Sequence, residues 1–186
     1  IQDYLLANGV SPAAVVLDKP LHLGTPGVPE WREFAGRNPV GMNHRHIFQA
    51  NALGGPATLL VWQDDVKSGA WQVRLNGRGL GRLATYEARV VHTLEVPPGT
   101  VRDGENVLEI LGPKMIDDVV LSRVELHPGK PAQVQGGAQL EVAVTEGGRP
   151  VPCRVTLAGA DGFLASLHVE PDPRLAVRPG VVYTMD

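Results

Sequence analysis

The sequence predicts an all-β protein built of two units. Three observations carry that expectation. Glycine (22) and proline (16) interrupt the 186 residues at short intervals. Most segments between these breaks alternate apolar with polar residues, the period of a half-buried strand. Helical character is confined to about one turn near Glu30 to Phe34, where Pro29 suits the first helical position.

The first 40 residues are otherwise irregular. AAVVL (Ala13 to Leu17) reads as an apolar strand, and the prolines and glycines of the following PLHLGTPGVPEW forbid a long regular element. From Arg45 onward strands dominate. HIFQANAL and ATLLVWQ are separated by Gly54-Gly55-Pro56, and WQVRL, EARVVHTLEV, NVLEILG and DDVVLSRVELHP follow. Between two of them VPPGTVRDGEN makes a polar corner.

The run WQVRLNGRGLGRL raises the question of a phosphate cradle, because Gly77, Gly79 and Gly81 recur at every second position. A dinucleotide fingerprint needs a helix after its glycines, so that the helix N-terminus meets the pyrophosphate. Here the third glycine falls one position early, and the following RLATYEARVVHTLEV is rich in β-branched residues. Trp71, Val73 and Leu75 alternate with Gln72 and Arg74, and Asn76-Gly77 tolerates the positive φ of a tight turn. The segment reads as a β-hairpin.

Composition changes again at HPGKPAQVQGG. Residues 1–129 form the first expected unit, 130–137 a linker, and 138–186 a second β unit. In the second, LEVAV, VPCRVTL, FLASLHV and RLAVRPGVVYTMD read as strands, with turns at Gly147 to Pro150 and at Ala160-Asp161-Gly162. From residue 132 only about 55 residues remain, near the lower limit for a free-standing core. This unit is therefore expected to be incomplete or to lean on the first.

A net charge of −3 and a pI near 6.1, with basic residues scattered singly, argue against a nucleic-acid partner. No apolar stretch approaches the roughly 18 residues of a membrane span. Cys153 stands alone, so no intramolecular disulfide forms. By period 2 it shares a face with Val151, Val155 and Leu157, which reads as a buried strand cysteine. The chain starts at Ile1, as a processed product or a fragment would.

Chemistry-bearing residues are few. Asn43-His44-Arg45-His46 is the densest cluster; two histidines two apart share a strand face and could hold a metal, although no third ligand is spaced to complete the set. Polar residues at a strand mouth are the competing reading. His92 should share a face with Val90 and Leu94 as a partly buried, hydrogen-bonded residue. Among the tryptophans, Trp62 and Trp71 read as core, leaving Trp31 as the exposed candidate for stacking on a sugar ring. Asp64 and Asp65 are candidate ligands for a structural calcium, against a turn in which aspartate bonds its own backbone. Asp117-Asp118 should open a strand and cap the preceding turn. No GxSxG elbow or HExxH motif is present.

DDVKSGAWQVRLNGRGLGRL, LEVPPGTVRDGENVLEILG and DDVVLSRVELHP, taken together over about residues 42 to 128, resemble the galactose-binding-like β-sandwich modules. Such modules are appended to glycoside hydrolases and polysaccharide lyases, including those of the rhamnogalacturonan lyase type. Asn76-Gly77, Gly104-Glu105-Asn106 and Leu121-Ser122 carry the match. The tail LEVAVTEGGRPVPCRVTLAGADGFLA is similar to the opening of a carboxypeptidase-regulatory-like or other prealbumin-like β-sandwich. The resemblance implies a jelly-roll sandwich followed by a smaller Ig-like unit. It also implies a non-catalytic accessory module of a secreted or periplasmic protein, with carbohydrate as its ligand and Trp31, Asn43, His44, Arg45 and His46 as binding candidates. No cofactor is expected, with a structural calcium at Asp64 and Asp65 as the alternative. Two rival expectations stand beside it: a spacer or docking domain for a metal-dependent hydrolase further along a longer chain, and a small metal-dependent hydrolase using His44 and His46.

Overall fold

A computed structural model describes residues 12–28, 38–136, 140–167, 169 and 172–185. The expected helical turn at Glu30 to Phe34 and the candidate Trp31 lie outside them. The chain is all-β with several antiparallel sheets, and its one described helix has five residues.

Among the described residues up to Pro128, two sheets pack face to face. One orders its strands β1 (Ala14–Leu17), β9 (Val119–Pro128), β4 (Ala57–Asp64) and β7 (Val90–Val96), with β2 (Leu21–Leu23) also paired to β9. The other runs β3 (Asn43–Ala50), β8 (Gly104–Leu111), β5 (Gln72–Leu75) and β6 (Arg78–Arg82). Strands β1 and β2 pair with successive stretches of β9, so they are one edge interrupted between Leu17 and Leu21, where Pro20 lacks the donor a ladder needs. Each sheet sends alternate residues inward. Leu59, Val61, Val124 and Leu126 meet Val73, Leu75, Leu108 and Ile110 in one core, with Trp71 fully buried at its margin.

The glycine-studded segment is the hairpin β5–β6, as its spacing predicts. Asn76 and Gly77 hold φ of 51° and 80°, the pair of positive values a two-residue hairpin turn demands. Gly81 (φ 146°) lies on the strand itself beside a register shift. At that φ any side chain would be strained, and a Cβ there would also stand 3.0 Å from the tip of Leu94 in the facing sheet, so the position favours glycine.

Strand β4 is buried on both faces, which accounts for the unbroken apolar run ATLLVWQ. Its inward face joins the core. Its outward face, through Leu60 and Trp62, packs with Val91, Val134 and Phe163 in a second cluster. Residues expected as linker supply part of that cover. Pro131–Gln135 form helix α1, with Pro131 at its first position, and Val134 is buried. Phe163 and the adjacent Leu164 come from the second unit. The backbone of Leu164 donates to Arg89 (2.8 Å) and accepts from Val91 (3.0 Å), adding a parallel bridge beside β7.

The second unit holds the hairpin β10 (Thr145–Glu146) and β11 (Arg149–Pro150), and a three-stranded sheet ordered β12 (Arg154–Thr156), β14 (Val181–Thr184) and β13 (Leu175–Arg178). Four expectations need correction here. RLAVRPGVVYTMD is a hairpin broken at Pro179-Gly180 rather than one strand, because proline and a positive-φ glycine (66°) turn the chain. Among the described residues FLASLHV contributes only the bridges of Leu164, and LEVAV forms no strand, its backbone bonding only through the Val144 carbonyl to the Val151 N–H. Cys153 precedes β12 and is partly exposed, its N–H donating to Thr184 Oγ1 (3.0 Å). A strand in a sheet covered this thinly cannot bury its inward face.

Candidate functional site

Strand β3 is an edge, and its register separates the Asn43–His46 cluster into two faces. Asn43, Arg45, Ile47 and Gln49 point away from the core, whereas His44 and His46 share the parity of buried Phe48 and face between the sheets. The two imidazoles lie 6.0 Å apart at 29°. Burial, and then the neighbouring His46, push the His44 pKa below its ordinary value. Two histidines remain two ligands: among the described residues no group of three or more His, Cys, Asp or Glu could hold a metal ion.

The outward face of the same sheet brings together residues from three strands. Arg45 on β3 and Arg74 on β5 both stand opposite Glu109 on β8, so a carboxylate sits between two guanidinium groups across the sheet. The adjacent row sets Asn43, Leu111, Gln72 and Arg82 side by side, and Ile47 and Val107, then Gln49 and Glu105, continue on the other flank. No ion pair within 4 Å closes between Glu109 and either arginine. Arg74 reaches Gln72 only at 3.5 Å, and Arg82 is held by the carbonyl of Gly69 (3.1 Å). Asn43 accepts from the Gly112 N–H (3.1 Å), which ties the end of β8. The result is an open polar surface with donors and an acceptor uncommitted at its centre.

The carboxylates proposed for calcium are held by cations of the protein. Asp64 accepts from Arg89 Nε (3.1 Å), and Asp65, in a left-handed turn (φ 58°), pairs with Lys67 (2.7 Å). Each engages a different partner, an arrangement that suits a loop turn and offers poor oxygen geometry for calcium. Trp62 and Trp71 present no stacking face, since both rings are buried, and each indole N–H donates to a carboxylate: Trp62 to Asp161 (3.1 Å) and Trp71 to Asp117 (2.7 Å). Asp117 also receives the Ser68 N–H (3.0 Å), so it closes the 64–71 loop over the core margin. His92 faces inward as its period predicts and bonds the carbonyl of Arg82 (3.0 Å).

Nothing in the sequence pattern marks Glu109, Arg74 and Gln72 as a group. Their signal is present as the polar half of each alternation, but strand adjacency decides which polar positions converge.

No helix among the described residues is long and apolar enough to cross a membrane. The chain matches no protein-family model, and no curated protein matches it.

Proposed function

We propose that the chain is a non-catalytic, carbohydrate-binding accessory module of a larger secreted or periplasmic protein, with the outward face of the four-stranded sheet as its ligand surface. The observation that carries this reading is the row Arg45, Glu109 and Arg74, charged yet unpaired within 4 Å, with Asn43 and Gln72 beside it. Guanidinium, carboxylate and amide groups grip sugar hydroxyls by charge-assisted hydrogen bonds. The exposed Ile47 and the half-buried Val107 beside it can meet the C–H face of a pyranose. The jelly-roll and prealbumin-like resemblances supply the expectation of an appended carbohydrate module.

Screening the chain against a broad glycan array tests the reading. At least one binder is expected, and Arg45→Ala or Arg74→Ala should weaken it by about tenfold or more, the worth of a hydrogen bond to a charged group. An array without a binder sinks the carbohydrate assignment.

A second reading, a rigid spacer or docking domain, is favoured by the junction. Phe163, Val134 and the Leu164 bridge tie the second unit to the outer face of β4 and β7.

A further inference from the structure

Residues 140–144 are extended, apolar at every second position and without a strand partner. Leu140, Val142 and Val144 are 62, 49 and 40% exposed. Among the described residues their main chain makes a single hydrogen bond, the Val144 carbonyl accepting from Val151 (3.3 Å). An open row of N–H and C=O groups beside an apolar face is the surface that recruits another strand. Alongside lies a cavity of about 630 Å³ between α1 and one face of the three-stranded sheet. Its walls include Leu140 and Val142 themselves together with Val155, Leu157, Leu175 and Val182. Its lining carries no ionisable side chain, and its polar members are already engaged: Gln135 and Ser166 with Thr93, and Thr184 with Cys153.

We propose that this segment is a homodimer interface, in which residues 140–144 of two copies pair as antiparallel strands about a two-fold axis at Val142. The occupant follows from self-complementarity. In that register Leu140 stands opposite Val144 of the second copy and Val142 opposite Val142, so every apolar residue meets an apolar one. Glu141 stands opposite Ala143, so no like charges are directly opposed. Directly opposed residues of an antiparallel pair project to the same side. The second copy's Leu140 and Val142 therefore enter the space that this copy's Leu140 and Val142 already border. A shift of one residue would turn those side chains to water, and a shift of two would leave apolar residues uncovered. A ladder of five residues is short, so the dimer is weak, with a dissociation constant on the order of micromolar.

Light scattering after size exclusion, and sedimentation equilibrium over a wide range of loading concentrations, test this on the whole chain. The expected result is a mass that rises from monomer toward dimer with concentration. Val142→Lys places two ammonium groups opposite each other in an apolar cavity and should raise the dissociation constant by at least about tenfold. At concentrations well below the dissociation constant its circular dichroism and melting should match the parent, because Val142 is half exposed in the monomer. Glu141→Lys, on the other face and opposite alanine, should dimerise as the parent does. A monomer at every concentration overturns the proposal, as does a dimer that survives Val142→Lys or one that is lost equally in Glu141→Lys.

Discussion

Replacing Asn106 by alanine removes the centre of a network that joins the corner at 97–104 to the β5–β6 turn. Asn106 is fully buried and uses its whole amide. Oδ1 accepts from the Arg102 N–H (2.9 Å) and from Asn76 Nδ2 (2.7 Å), while Nδ2 donates to the carbonyls of Arg102 (2.9 Å) and Gly104 (3.0 Å). Asn76 extends the network, donating to the Thr100 carbonyl (2.8 Å) and accepting from the Val107 N–H (2.8 Å). Alanine orphans three backbone groups of the corner, whereas Asn76 Nδ2 keeps Thr100. Each buried group left without a partner costs about 1–3 kcal/mol. Arg102 is exposed, so water recovers part of the loss. The expected destabilisation is about 2–4 kcal/mol in urea unfolding, with a melting temperature lower by roughly 5–15 °C for a chain of this size. Pairing it with Asn76→Ala should show about 1 kcal/mol of coupling, because the two amides share a bond. A loss under about 1 kcal/mol for Asn106→Ala would refute the view that this amide holds the corner.

Two further outcomes follow from buried groups on the outer face of the five-membered sheet. Burial alone would raise the Glu125 pKa, but the hydrogen bond from His127 (2.9 Å) and the charge of Arg123 outweigh it and hold the carboxyl below its ordinary value of 4.5. A depressed acid stabilises the fold above its unfolded pKa and loses that contribution as pH falls through the folded value. Melting temperature should therefore drop on acidification below about pH 4.5, and Glu125→Gln should flatten that limb while costing about 1–3 kcal/mol at pH 7. A parent-like acid limb in the glutamine variant would discount the ion cluster. Phe163→Ser removes the ring that fills the junction with Leu60, Trp62 and Val91, a change worth about 3–5 kcal/mol locally. Amide exchange at Leu164 and Val91, whose bond bridges the two units, should accelerate while the first unit keeps its protection; unchanged exchange would mean that the junction does not depend on this ring.

The all-β class, the Asn76-Gly77 hairpin, the burial of Trp71 and the inward facing of His92 are legible in the order of residues alone. Each follows from period 2 and from turn chemistry, which act between neighbours in the chain. The remaining features depend on contacts between distant segments. Alternation parts Asn43 and Arg45 from His44 and His46, but packing turns the histidine face inward, and Glu109 gains its two arginine neighbours because β3 and β5 both flank β8. A proline-led stretch that composition marks as linker becomes a helix because Val134 finds an apolar surface on β4 and β7 to cover. LEVAV has the pattern of a strand but lacks one within the described residues, since a ladder needs a second chain segment at hydrogen-bonding distance, and alternation specifies only which face that partner must meet.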